Sequence, residues 1–265
     1  MNKLIAGGCS FTFGNELSDD DVGEVHSKKT WAYGLKQYND NIEYVCAAHP
    51  GTGNTGIARR VFNQIHAHKD NIKGVVVMWT FLSRYDWAMP RHKFLEGTRW
   101  ATISPWDTSM ADEERHNALS GSEVELDIWK KRNDASIETG VKPFAEAIYK
   151  YAANQYHEIY LSWKSIIWLQ NILEKKKIPF MFTLADNSLF YNEFIRHDNQ
   201  DAFIKALYKE IDFSKWHFFG ERMMGFNQWA TMNDYAYATT HPLDEAHQDA
   251  VKLMLPTYNK LIGDK

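Results

Sequence analysis

The 265-residue sequence has only two cysteines, Cys9 and Cys46. Two cysteines make no disulfide framework, and both read as reduced thiols of an intracellular protein. No run approaches the roughly 18–20 uninterrupted apolar residues of a membrane-spanning helix. The N-terminus enters an apolar strand pattern almost at once, without the architecture of a signal peptide. A cytoplasmic protein that does not engage a membrane is therefore expected. Basic tails and lysine blocks are also missing. The formal net charge is -4, with both signs spread along the chain, which argues against nucleic acid as a partner. The histidine pairs His66/His68 and His241/His247 lack a strong zinc spacing such as His-Glu-x-x-His, so neither a catalytic metal nor a cofactor is expected. Internal repeats and low-complexity tracts are absent. Aromatics, by contrast, are plentiful, with ten tryptophans. Most fit a core, while Trp79, Trp100 and Trp106 are open to a role as flat ledges for a sugar face.

Short apolar runs alternate with helical periodicity. Strands are expected at Lys3–Ala6, Glu43–Cys46, Gly74–Trp79, Pro179–Leu184 and, as a short fifth, Trp216–Phe219. Val75-Val76-Val77-Met78 is the continuous β-branched run of a strand buried on both faces. Helices are expected at Trp31–Tyr38, Thr55–His68, Pro143–Lys176 (one long helix with a break), Asp201–Glu210 and Leu243–Leu261. Strands that alternate with helices pair in parallel through right-handed crossovers, which gives a three-layer α/β sandwich. Residues 88–140 interrupt the alternation. They are polar, hold prolines and include Ala111-Asp112-Glu113-Glu114. A connection this long, leaving strand three at its carboxyl end, is expected to be an inserted cap or lid.

The chemistry concentrates in three places. Residues 4–14, Leu-Ile-Ala-Gly-Gly-Cys-Ser-Phe-Thr-Phe-Gly, are a strand that breaks at glycines and exposes Ser10 at its carboxyl end. Ligands bind there in open parallel sheets. Ser10 suits a nucleophile if a base reaches it; Ser10 or Thr12 as a helix cap is the plainer reading. Cys9 is a competing nucleophile, though more often such a residue is a small buried hydrophobe. The second place is the turn Pro50-Gly51-Thr52-Gly53-Asn54-Thr55-Gly56, and the third is His241-Pro242-Leu243-Asp244-Glu245-Ala246-His247. Gly51-x-Gly53-x-x-Gly56 is also a literal G-x-G-x-x-G between strand and helix. It follows the second strand rather than the first, and a dinucleotide reading leaves Ser10 and His241 unexplained.

Together these three blocks resemble the SGNH (GDSL-type) hydrolase family, in a divergent form similar to members from bacteria and their phages. The resemblance implies a single domain over residues 1–265 with a mainly parallel, flavodoxin-like sheet of five strands. It implies a serine esterase or deacylase acting on a small acyl ester, with an O-acetylated carbohydrate as substrate. Ser10 would be the nucleophile and His241, before Pro242, the base. The family's acid three positions before the histidine is Ala238 here, and Asp234, seven before, is the available substitute. Asp244 and His247 form a second, lower-ranked spacing. The backbone N–H groups of Ser10 and Gly53 would face the oxyanion, with Gly51 as alternative and Asn54 as support or donor. The family's asparagine after strand three is missing, and Thr80, Ser83 or Arg84 is left to replace it. A catalytically degenerate binding protein on the same fold is the other reading.

Overall fold

The computed structural model describes residues 1–20, 23–38, 41–89, 100–108, 123–191 and 201–263. Its central sheet holds β1 (Asn2–Gly7), β2 (Ile42–Cys46), β3 (Ile72–Trp79) and, later in the chain, β6 (Phe180–Leu184). The order is β2-β1-β3-β6 and every pairing is parallel. Between β3 and β6 a separate antiparallel hairpin is formed by β4 (Tyr85–Ala88) and β5 (Trp100–Ile103). The helices in chain order are α1 (Ser10–Phe13), α2 (Trp31–Gln37), α3 (Asn54–Ala67), α4 (Glu123–Glu138), α5 (Val141–Tyr151), α6 (Gln155–Lys175), α7 (Ala202–Lys209), α8 (Phe226–Met232) and α9 (Asp244–Leu261).

The pleat sends alternate residues of β3 to opposite faces. Val75, Val77 and Trp79 join Ile57, Val61, Trp163 and Ile166 beneath α3 and α6. Val76 and Met78 join Trp31, Leu35, Met254 and Tyr258 beneath α2 and α9. Both sets are fully buried, which is why the run contains no polar residue. The result is an α/β sandwich with a mainly parallel sheet. It differs from expectation in strand count. The expected fifth strand reduces, among the described residues, to one parallel bridge between Trp216 and Phe182. A 3-10 turn capped by Asp212 precedes it, and the chain turns again where Phe219 N–H meets the Met224 carbonyl. Trp216 is spent on ring packing against Phe182, Phe190 and Phe218 rather than on a ladder.

The expected long helix is two, α5 and α6, divided where the Asn154 side chain accepts the N–H groups of Tyr156 and His157 and starts a new helix. Part of the expected 88–140 insertion, including Ala111-Asp112-Glu113-Glu114, lies outside the described residues. Its described part is ordered structure. One face of the hairpin packs Tyr85, Ala101 and Ile103 on Val141, Ala145 and Ile148 of α5. The other face meets α3, where Asp86 takes a bidentate bond from Arg59 at 2.7 and 2.9 Å and Trp100 lies 4.5 Å under that guanidinium. No helix among the described residues is long and apolar enough to cross a membrane.

Candidate active site

β1 ends in Gly7 and Gly8, and the chain folds sharply into the single turn of α1. At Gly8 a Cβ would stand 2.1 Å from Thr12 Oγ1, so only glycine lets the turn close so tightly over the strand end. The turn has Cys9 at its N-cap and a left-handed Gly14 at its close. It presents Ser10 at the carboxyl edge of the sheet, 7% exposed, while Cys9 is wholly buried. The segment before α9 crosses the same edge and delivers His241. His241 Nε2 lies 2.7 Å from Ser10 Oγ. The ring is also edge-on to Phe11, 4.9 Å between centroids.

The other imidazole nitrogen meets Glu16. His241 Nδ1 is 2.8 Å from Glu16 Oε2, and the same oxygen accepts the backbone N–H groups of Thr240 and His241, each at 3.0 Å. Donation from Nδ1–H to the carboxylate leaves the Nε2 lone pair to accept from the Ser10 hydroxyl. Burial pushes the Glu16 carboxyl up, but the bonds from His241 and Thr240 more than reverse it, and its pKa falls below the usual value. Glu16 therefore stays ionised beside the imidazole. Its backbone is left-handed, φ 67°, a conformation that costs a non-glycine residue roughly 1–2 kcal/mol. Asp20 accepts the Glu16 N–H at 2.8 Å and holds that conformation. A second clasp joins the same two loops. Ser18 and Lys29 bind the Asp244 carboxylate, with Lys29 Nζ at 2.7 Å, and these bonds overcome partial burial to bring the Asp244 pKa to about 2.

Asp234, the expected orienting acid, is not brought to His241. It sits exposed in a left-handed turn (φ 55°) after α8, with its N–H on the Thr231 carbonyl. Glu16 holds the position instead. Nothing in the sequence local to His241 points to Glu16, which stands 225 residues earlier in the chain. His247 faces a different task. It is 1% exposed, and Nδ1 accepts the Trp31 N–H that opens α2, at 3.2 Å. Burial pushes its pKa down to about 3, so it is neutral.

The glycine turn after β2 lies on the opposite flank. Gly51 is left-handed, φ 74°. Gly53 is the N-cap of α3, and a Cβ there would stand 2.4 Å from the Arg84 carbonyl oxygen. At Gly56 it would meet the Asp86 carboxylate at 2.9 Å. The spacing of these two glycines thus matches the passage of β4 over α3, which also explains the G-x-G-x-x-G pattern. The side chain of Asn54 is fully engaged. Nδ2 donates to the Thr80 carbonyl (3.1 Å) and to Ser162 Oγ (3.0 Å), and Oδ1 accepts the Thr80 N–H (2.8 Å). Asn54 thereby ties the start of α3 to the end of β3 and to α6. Thr80 is completely buried at the end of β3, and its hydroxyl accepts from Arg84 Nη1 at 3.1 Å. Trp79 is core, and Trp106 packs edge-on to Trp129. Among the described residues no group of three or more His, Cys, Asp or Glu is placed to hold a metal ion.

No protein-family model matches the sequence, and no curated protein does. Solved structures resemble it in fold. Among them are lipolytic proteins and esterases. A member of the lipolytic G-D-S-L family from Veillonella parvula is 11% identical, with a TM-score of 0.45, covering 98% of this chain and 100% of that one. The psychrotrophic esterase EstA from Pseudoalteromonas sp. is 10% identical, with a TM-score of 0.48 and 98% of each chain covered. A carbohydrate acetylesterase family member from Sinorhizobium meliloti is 11% identical, with a TM-score of 0.44 and both chains covered in full.

Proposed function

We propose that this chain is a serine esterase of SGNH type that removes a small acyl group, such as acetyl, from a polar alcohol of the carbohydrate class. The observation that carries the reading is the hydrogen-bonded series Ser10 Oγ–His241 Nε2 and His241 Nδ1–Glu16 Oε2, at 2.7 and 2.8 Å. His241 takes the Ser10 proton as the oxygen attacks the ester carbonyl and returns it to the leaving alcohol. Glu16 fixes the tautomer and stabilises the imidazolium between the two transfers. The N–H groups of Ser10 and Gly53, with Gly51 as alternative, are the proposed oxyanion donors. Thr80 is the proposed replacement for the family's asparagine, since a hydroxyl that accepts from Arg84 keeps its own proton to give. The hairpin beside the glycine turn, where Thr102 Oγ1 lies 3.2 Å from Thr52 Oγ1, is the proposed edge of a cap over the substrate.

A fluorophosphonate probe tests this directly. Wild type should label, and Ser10→Ala and His241→Ala should not. A wild-type protein that neither labels nor hydrolyses 4-nitrophenyl acetate or an acetylated sugar overturns the reading. A binding module is the second reading, favoured by one observation: Asn54, the one asparagine of the turn, is consumed by structure.

A further inference from the structure

Arg84 stands just beyond β3, where its backbone passes over Gly53 of the glycine turn. Its guanidinium carbon lies 4.9 Å over the ring of Phe81. Phe81 is 6.2 Å from Phe11, whose ring meets His241. The charge thus rests on a series of rings that ends at the Ser10–His241 pair. One edge of the guanidinium is anchored, with Nη1 on the Thr80 hydroxyl. Arg84 is half-buried and has no carboxylate partner among the described residues.

The neighbouring groups are already matched. Arg59 is paired with Asp86, and Arg60 donates to the carbonyls of Ala47 and Ala48. Asp107 accepts from the N–H and hydroxyl of Ser104, Glu158 accepts from Tyr85, and Tyr149 donates to the Ser83 carbonyl. Among the described residues no side chain or backbone group takes the Nε–Nη2 edge of Arg84, and that edge is the planar fork that matches the two oxygens of a carboxylate.

We infer that Arg84 determines specificity by binding a carboxylate on the alcohol portion of the ester substrate. This rests on the esterase reading: the acyl group there is small, so the charge falls on the alcohol. The test compares 4-acetoxybenzoate with its uncharged analogue 4-acetoxybenzamide. In wild type, kcat/KM should favour the benzoate by about 10- to 100-fold, the usual weight of a hydrogen-bonded ion pair. Arg84→Gln should bring the ratio close to one, and Arg84→Lys should keep part of it, because the charge remains while the fork is lost. A general role at the oxyanion would lower both rates together and leave the ratio in place, which overturns the proposal. So does a wild-type ratio near one. Calorimetric titration of the Ser10→Ala protein with the same two compounds, with and without Arg84→Gln, reads carboxylate recognition without turnover. If the probe experiment defeats the esterase reading, a benzoate preference that depends on Arg84 still upholds the carboxylate site, and equal binding of the two compounds overturns it.

Discussion

On one flank of the site, Ser10, His241 and Glu16 pass hydrogen bonds from one to the next and leave the serine oxygen at the sheet edge. On the other, the Asn54 side chain turns its bonds inward, to the Thr80 backbone and to Ser162, and the buried Thr80 hydroxyl accepts from Arg84. The same residue types, small and polar at strand ends, thus serve two ends. Where bonds run side chain to side chain with a titratable group in the middle, they can move a proton. Where they close on backbone groups at full burial, they hold the end of a strand.

Substitutions at Ser10, His241 and Glu16 should therefore cost rate, and substitution of Asn54 should cost stability. Ser10→Ala or His241→Ala should lower kcat/KM for 4-nitrophenyl acetate by roughly 10⁴- to 10⁶-fold, with a melting temperature close to wild type. A large fall in Tm with residual activity would break the comparison from that side. Glu16→Gln should cost about 10²- to 10⁴-fold, in line with removal of the orienting acid in serine hydrolases. Glu16→Asp should recover part of it, and Asp234→Asn should leave kinetics unchanged. Asn54→Ala should act chiefly on folding. It strips partners from the buried Thr80 amide, and an unpaired buried group costs about 1–3 kcal/mol, to be read by denaturant unfolding. A rate loss at unchanged stability would instead place Asn54 among the oxyanion donors.

The smallest effect sharpens the contrast between the two histidines. Unfolded, His247 takes a proton near pH 6.5; folded, it resists until about pH 3. Acidification through that window therefore favours the unfolded state, by up to about 1.4 kcal/mol per pH unit. His247→Gln keeps an acceptor for Trp31 N–H and should flatten the fall of Tm between pH 6 and roughly pH 4. His217, buried with its pKa lowered to about 4, has the same sign and should preserve a residual slope.

The parts legible in the sequence were those set by local pattern. The alternation of strand and helix, the buried run of β3 and the glycine break before Ser10 each follow from adjacent residues. Ser10 and His241 could be paired because the blocks around them, with their glycines and Pro242, resemble those of a known hydrolase family. Glu16 could not. Its reach depends on a left-handed backbone held by Asp20 and on a clasp to Ser18 and Lys29 from Asp244, more than 200 residues further along the chain. The role of Asn54 was likewise hidden, since one asparagine at a turn reads equally as cap, donor or brace until the end of β3 is placed against it. Trp216–Phe219 read as a strand because aromatic residues favour both ladders and clusters, and here the cluster won.

The bond between Ser10 and His241 joins positions 231 residues apart. Contacts of such separation form late, because the chain must give up loop entropy before they return anything. Recovery of probe labelling after dilution from denaturant should therefore follow the slowest refolding phase, making the serine a clock for the completion of the fold.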